Sequence, residues 1–368
     1  MSLAANTDSS TPVHEISATD FDAALFHHEI VPAYRPVVVR GLVKDWPAVR
    51  AARDGPDRLI AYLKGFDGGI PVATKTAPPM VKGRFSYDDD VDGFNYRKER
   101  MNIGAALDTL LALATEASPP AFAVQSARAR QYFPGFDREN RLPLLPDSVA
   151  PRLWIGNAVT VAAHYDTVEN IACCAAGRRR FTLFPPEQAC NLYPGPFERT
   201  PAGPIVSMVD FDAPDPVRFP RFGEAMAAAV AADLEPGDAL YIPYLWWHHV
   251  RSLDRLNLLV NFWWKTGAKA HEFGSEALLL AMMSIKNLPE SRRRAWRALF
   301  DHYVFGDNGA PGMHLPAGRR GIQDAITAEE AAALRTGIAQ KLAPHLEPAP
   351  PWLSRLRRFA RALPWRRR

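Results

Sequence analysis

Trp154-Ile155-Gly156-Asn157-Ala158-Val159-Thr160-Val161-Ala162-Ala163-His164-Tyr165-Asp166 is the stretch on which the reading of this chain turns. An apolar approach, Val159 to Ala163, runs into the pair His164-x-Asp166. Side chains on a strand alternate between its two faces, so these polar groups, two positions apart, point the same way. In a chain with ten histidines such a pair arises readily by chance, and alone it also reads as an exposed strand. Its weight comes from what surrounds it. Asn170 to Ala176 is small and apolar, Gly177 breaks the run, and Phe181-Thr182-Leu183-Phe184 resumes a strand before Pro185-Pro186. Strand, glycine turn and strand read as a hairpin, with Arg178-Arg179-Arg180 at the start of its second arm.

A second segment lies 84 residues after His164, in Trp246-Trp247-His248-His249. Leu234-Glu235-Pro236-Gly237-Asp238 reads as a turn, Ala239 to Pro243 as a buried strand, and Leu258 to Trp264 as a β-rich return. A histidine from this segment closes a set of two imidazoles and one carboxylate. Such a facial triad leaves coordination positions open and is typical of non-haem Fe(II) oxygenases. Spacing alone does not separate His248 from His249.

Taken together these residues resemble the JmjC or cupin-like family of Fe(II)/2-oxoglutarate-dependent oxygenases. The motifs are His164-Tyr165-Asp166, Asn170, Gly177 with Leu183-Phe184-Pro185-Pro186, and Leu192-Tyr193-Pro194. Val209-Asp210-Phe211-Asp212-Ala213-Pro214-Asp215, Arg218-Phe219-Pro220, Pro236-Gly237-Asp238, Trp246 to His249 and Val260-Asn261-Phe262-Trp263 follow in order. The likeness is dense from about residue 154 to 264. It is looser from 32 to 150, where Pro36 to Gly41 and Asp45-Trp46-Pro47 fit an opening strand. Within the family the pattern is most similar to the factor-inhibiting-HIF type of asparaginyl hydroxylase.

The resemblance implies a mainly β fold, a double-stranded β-helix (jelly-roll or cupin barrel) with helical insertions and a C-terminal helical extension. It implies that His164, Asp166 and His248 ligate Fe(II), with His248 chosen because the family's ligand directly follows the aromatic pair. Arg179 takes the place of the basic residue that pairs with the distal carboxylate of 2-oxoglutarate, and a guanidinium suits a carboxylate bidentately. Arg178 and Arg180 then face solvent. Asn170 and Asn261 match polar positions near metal and cosubstrate. Trp263, Trp247 and Phe181 suit a water-excluding wall, and each also suits an ordinary core. The reaction implied couples oxidation of a protein, peptide or other large substrate to conversion of 2-oxoglutarate and O2 into succinate and CO2.

Two departures stand out. Position 161, three before His164, is Val where the family often has Thr, so Thr160 is the hydroxyl available to the cosubstrate. The earlier strand Phe122-Ala123-Val124-Gln125 lacks the family's Tyr, and Ile205-Val206 replaces a polar substrate-gripping pair. The apolar run Ile205 to Val209 reads as a rim for a less polar partner. Two other readings fit parts of the pattern: a cupin-type metalloenzyme of another class (isomerase or dioxygenase), and a non-catalytic cupin-like binding module.

Of the 368 residues, 47% are hydrophobic, ample for a core, and 33 are proline, which suits irregular loops between strands. Cys173, Cys174 and Cys190 form no C-x-x-C pair and point to a reducing, cytoplasmic location; residues 1 to 20 lack a signal-peptide core. The organisation expected is a lead-in at 1–31, a catalytic barrel at 32–266, a helical extension at 267–345 and a basic tail at 346–368. Helices are expected at Leu59 to Leu63 and Ile103 to Ala114, with a helix start at Ser17 to Asp20. In the extension, Trp296, Leu299, Phe300 and Tyr303 share one helix face, which the family's architecture assigns to homodimerisation. Thr327-Ala328-Glu329-Glu330 is a capping box. Seven arginines and no acid occupy 351–368; without them the formal charge of +4 becomes −3. That tail suits an anionic surface, membrane or nucleic acid, or a solvated end.

Overall fold

The computed structural model describes residues 10–201, 203–266, 274–306, 309–316 and 318–345. The basic tail and the beginning of the lead-in, with the expectations attached to them, lie outside the described residues. The chain divides into two compact units, one within Met1–Lys265 and one within Thr266–Pro351.

The strands of the first unit begin with β1 (Thr11–Pro12), β2 (His14–Ser17), β3 (Val37–Arg40), β4 (Val72–Ala77) and β5 (Arg84–Phe85). Then come β6 (Arg97–Met101), β7 (Ala121–Arg128), β8 (Arg152–Gly156), β9 (Thr160–His164) and β10 (Glu169–Ala176). The last are β11 (Arg179–Phe184), β12 (Val230–Leu234), β13 (Ala239–Ile242), β14 (Trp247–Ser252) and β15 (Asn257–Trp264). From β8 onward the chain winds between two facing sheets. One holds β13-β10-β15-β8 side by side and the other β12-β11-β14-β9. Every pairing inside these two sets is antiparallel. This is the jelly roll anticipated from the motifs. The first sheet is widened by β3 and β2 at one side and by β7, β4 and β6 at the other; β1 and β5 flank the second.

The composition of β10 explains its place. Glu169 to Ala176 is buried along its whole length. Ile171, Cys173 and Ala175 pack into the helix-backed core, while Ala172 and Cys174 pack between the sheets. A strand covered on both faces needs small apolar residues at every position, not an alternation. The turn after it requires Gly177, which has φ +66°. A Cβ there would lie 2.3 Å from Asn257 Oδ1 and 2.6 Å from the Leu256 carbonyl oxygen.

Helices Pro47–Arg53, Pro56–Lys64 and Ile103–Leu113 back the first sheet, burying Val49, Leu59, Leu63, Ile103, Leu107 and Leu110. The last three of these recur at helical spacing, as the sequence required. At Ser17 the expected helix start is a single 3-10 turn, Ala18–Asp20, whose Thr19 N–H donates to the Ser17 hydroxyl. The second unit carries the helices Gly274–Ile285, Glu290–Phe300 and Ala328–Leu342, the last opened by the full Thr327/Glu330 capping box. Trp296, Leu299 and Phe300 lie on the middle helix, and Tyr303 falls in a wider π turn at Asp301–Phe305. Among the described residues no helix is long and apolar enough to cross a membrane.

Candidate functional site

Strand register brings the sequence-distant groups together. On β14, His248 stands directly opposite His164 of β9, and their ring centroids are 4.2 Å apart. Asp166 follows two residues after His164, its Oδ2 at 3.7 Å from His248 Nε2. Candidate ligand atoms of His164, Asp166 and His248 all lie within 4.8 Å of one another. Each imidazole is tied back by its Nδ1: His164 to the Ala162 carbonyl at 2.9 Å and His248 to the Trp246 carbonyl at 3.1 Å. Such ties fix the ring orientation and leave Nε2 as the metal-facing nitrogen. Burial, with His164 adding to it, holds the His248 imidazole well below its ordinary pKa. Burial also raises the Asp166 carboxyl, against the pull of His164 and Arg152.

His249 goes elsewhere. It stacks on Phe211 with centroids 4.3 Å apart and planes within 11°. Burial first and Arg84 second depress its imidazole to about 3. Alternation along β14 separates the two neighbours, the distinction that spacing left open.

The cluster forms one wall of a pocket that also contains Asn170, Arg179, Asn261, Trp154, Trp263 and Phe181. Arg179 is 4% exposed and donates from Nη2 to the Trp154 carbonyl at 3.3 Å. Its Nε has no hydrogen-bond partner, and no ion pair is formed by this side chain among the described residues. Burial lowers its guanidinium to about 10. A buried cation without a counter-ion is costly, and it identifies a place built for an anion. Its flanking arginines do face outward: Arg178 pairs with Asp254 at 2.9 Å and Arg180 with Asp233 at 3.3 Å. Asn261 Nδ2 donates to Asn170 Oδ1 at 2.7 Å, leaving Asn261 Oδ1 unpaired among the described residues. The indole nitrogens of Trp154 and Trp263 are likewise buried with no partner among them. Orphaned donors and an orphaned acceptor around one pocket fit a polar, anionic ligand beside a metal ion.

Three expectations do not match their placement. Thr160 is buried but does not line the pocket; Val161 does. On β9 three residues from His164 back to Val161 face two on β14, so a bulge turns position 161, not 160, toward the metal cluster. Ile205, Val206 and Val209 are at most 2% exposed and form no rim. Val206 instead pairs with His164 across an isolated bridge, bracing the ligand strand. Trp247 belongs to a separate core cluster and packs on Tyr165 at 4.8 Å, while Phe181 and Trp263 do line the pocket.

Sequence reasoning missed Trp154 and Arg152, which alternation along β8 puts on one face. It also missed Gln125 and Ser126, which lie at a register shift in β7 between Val124 and Ala127. Ser126 has φ +57°, and Gln125 Oε1 is buried with no partner among the described residues. Gln125 stands on the strand where the family's Tyr is missing.

A family model described as a cupin-like domain matches residues 23–270, well over half of the chain. Human HSPB1-associated protein 1 is 34% identical over 152 residues, which cover 39% of this chain and 30% of that protein. The human bifunctional peptidase and (3S)-lysyl hydroxylase JMJD7 is 26% identical over 269 residues, 65% of this chain and 80% of that protein. Lysine-specific demethylase 8 of Xenopus tropicalis is 35% identical over 119 residues, 32% of this chain and 26% of that protein. The chain thus spans under a third of two of these three relatives. With the jelly roll, the ordered motifs and a match running from the first helices through β15, the chain belongs to the cupin-like domain family.

Proposed function

We propose that this protein is an Fe(II)- and 2-oxoglutarate-dependent oxygenase that hydroxylates a side chain of a protein or peptide. One juxtaposition carries the reading: a His–Asp–His cluster shares its pocket with a buried guanidinium that has no counter-ion among the described residues. A relative named as a lysyl hydroxylase and another named as a lysine demethylase support a protein substrate.

His164, Asp166 and His248 would hold the metal through two nitrogens and one oxygen, a set that suits Fe(II) and leaves room for other ligands. When bound, the iron and the 2-oxo acid would supply the activation of O2, with succinate and CO2 as coproducts. Arg179 would pair with the distal carboxylate, and the Asn170–Asn261 pair would offer amide groups beside it. Phe181, Val161, Ile242, Val250 and Leu259 give the pocket an apolar lining that excludes water.

Anaerobic mixing with Fe(II) and 2-oxoglutarate tests this. A visible charge-transfer band is expected, followed by succinate once O2 is admitted. A folded protein that gives neither is not this enzyme.

We also propose a homodimer formed through the second unit. Its helix Glu290–Phe300 and the turn after it expose Trp296, Leu299, Tyr303, Val304 and Phe305. Large apolar side chains grouped this way mark an interaction surface. Light scattering on the eluted peak should give twice the chain mass; a monomer mass excludes it.

A further inference from the structure

Arg128 at the end of β7 stands directly opposite Arg152 on β8, and Arg152 stands directly opposite Asn261 on β15. Residues paired in register share a face of the sheet. Asn261 lines the metal pocket, so the three form a row that runs from the pocket outward across neighbouring strands. With strands about 4.8 Å apart, Arg128 lies roughly 10 Å from the Asn261 position.

Like charges directly opposite on a sheet are destabilising. Neither arginine forms an ion pair that would offset this among the described residues. Arg152 Nη1 donates to Ser126 Oγ at 3.0 Å and lies 3.4 Å from the Ser126 carbonyl oxygen. No other hydrogen bond from this guanidinium is made among the described residues. Its Cζ lies 5.0 Å from the centroid of Trp263, a wall of the pocket. Burial and the neighbouring Arg128 both disfavour its charge, and Asp166 favours it. Ser126, the residue that holds it, is in the left-handed region at φ +57°, at the bulge that ends the regular part of β7. Backbone strain of that kind persists where surrounding structure enforces it, and it gathers at functional positions.

The cosubstrate does not account for this pair. In the proposed reading its distal carboxylate would pair with Arg179 on the opposite sheet, and its other carboxylate would go to the metal. Two further guanidiniums leading out of the pocket call for a second anion, carried by a molecule long enough to reach from the metal cluster to the end of β7.

We propose that Arg152 and Arg128 are specificity-determining residues that bind a carboxylate of an extended peptide substrate, so that this protein acts on acidic sequences. This deepens the oxygenase reading and rests on it. It also separates the chain from the lysine specificity in its relatives' names, because a cationic side chain would meet two arginines at the pocket mouth.

The test uses the full chain loaded anaerobically with Fe(II) and 2-oxoglutarate. Rhodamine-labelled nonapeptide pools are titrated by anisotropy: an acidic, a neutral and a basic pool, each with amidated ends, and a neutral pool with a free C-terminus. Tighter binding of the acidic pool, weakened roughly tenfold or more by R152A and by R128A, supports the proposal. In R128E the preference should move toward the basic pool; Arg128 is exposed, so this variant keeps the fold testable where R152A does not accumulate. Arginine-dependent binding of the free-terminus pool alone assigns the anion to a terminal rather than a side-chain carboxylate. The proposal is overturned by binding of no pool, by equal binding of all pools, or by an acidic preference that survives both substitutions. It is overturned equally if R152A loosens 2-oxoglutarate and leaves the acidic pool bound. The charge-transfer band is read in the same samples: its absence in the unaltered protein sinks the oxygenase reading, while its presence without acidic preference sinks this inference alone.

Discussion

Replacing Arg179 with Met should weaken 2-oxoglutarate binding and leave the empty protein at least as stable as before. Arg179 is 4% exposed, and among the described residues the one hydrogen bond of its side chain is the 3.3 Å contact to the Trp154 carbonyl. A carboxylate paired with it gains charge-assisted hydrogen bonds worth about 1.5–3 kcal/mol each. Loss of about 3 kcal/mol in total raises the dissociation constant roughly 100-fold. The stability term has the opposite sign. Burial lowers this guanidinium from its ordinary value to about 10, a desolvation cost on the order of 3 kcal/mol. Met removes that cost, fills most of the volume and forfeits a bond worth about 1 kcal/mol. The folded-state value still lies well above neutrality, so the cation is present throughout the neutral range and the gain should not vary with pH there. The assay pairs the charge-transfer titration with thermal unfolding of the metal-free protein. An affinity within about threefold of the original, or a melting temperature several degrees lower, refutes the reasoning.

Other consequences are independent of that one. His248→Ala should abolish the charge-transfer band, whereas His249→Ala should keep it and cost about 2–4 kcal/mol in unfolding, because it loses the buried stack on Phe211. Gly177→Ala places a Cβ 2.3 Å from Asn257 Oδ1 at φ +66°, and should destabilise by about 2 kcal/mol or more in chemical denaturation. Lys75 is buried with its Nζ 3.0 Å from the Pro201 carbonyl, and burial followed by Lys98 lowers its amine to about 7. Between that value and the ordinary lysine value the unfolded chain binds a proton that the folded chain does not. Stability should therefore rise with pH across that window, on the order of 5 kcal/mol, and Lys75→Met should flatten the slope. An unchanged slope in Lys75→Met removes the assignment.

Much of the site was readable because it obeys short-range rules. Period-two alternation put His164 and Asp166 on one face and, with Arg179 set inward by the family resemblance, sent its two neighbouring arginines outward. Thr160, taken as the hydroxyl adjacent to the family's position 161, is turned away, since a single extra residue in β9 inverts the face from that point on. Ile205 and Val206 read as a surface rim because hydropathy does not say what will lie on top of a loop. Their partner is the ligand strand itself, through the bridge to His164.

By itself the sequence determined the two ligand-bearing strands, the hairpin with its inward arginine and the turn that only glycine fits, because each is written in residues a few positions apart. Tertiary structure settled what spacing left open and the family resemblance implied, that His248 rather than His249 meets His164; it alone decided that Trp247 serves a separate core and that Arg128, Arg152 and Asn261 form one row. Those outcomes depend on register between strands separated by tens of residues. Register is fixed by the summed burial and hydrogen bonding of whole strands, which no local pattern carries.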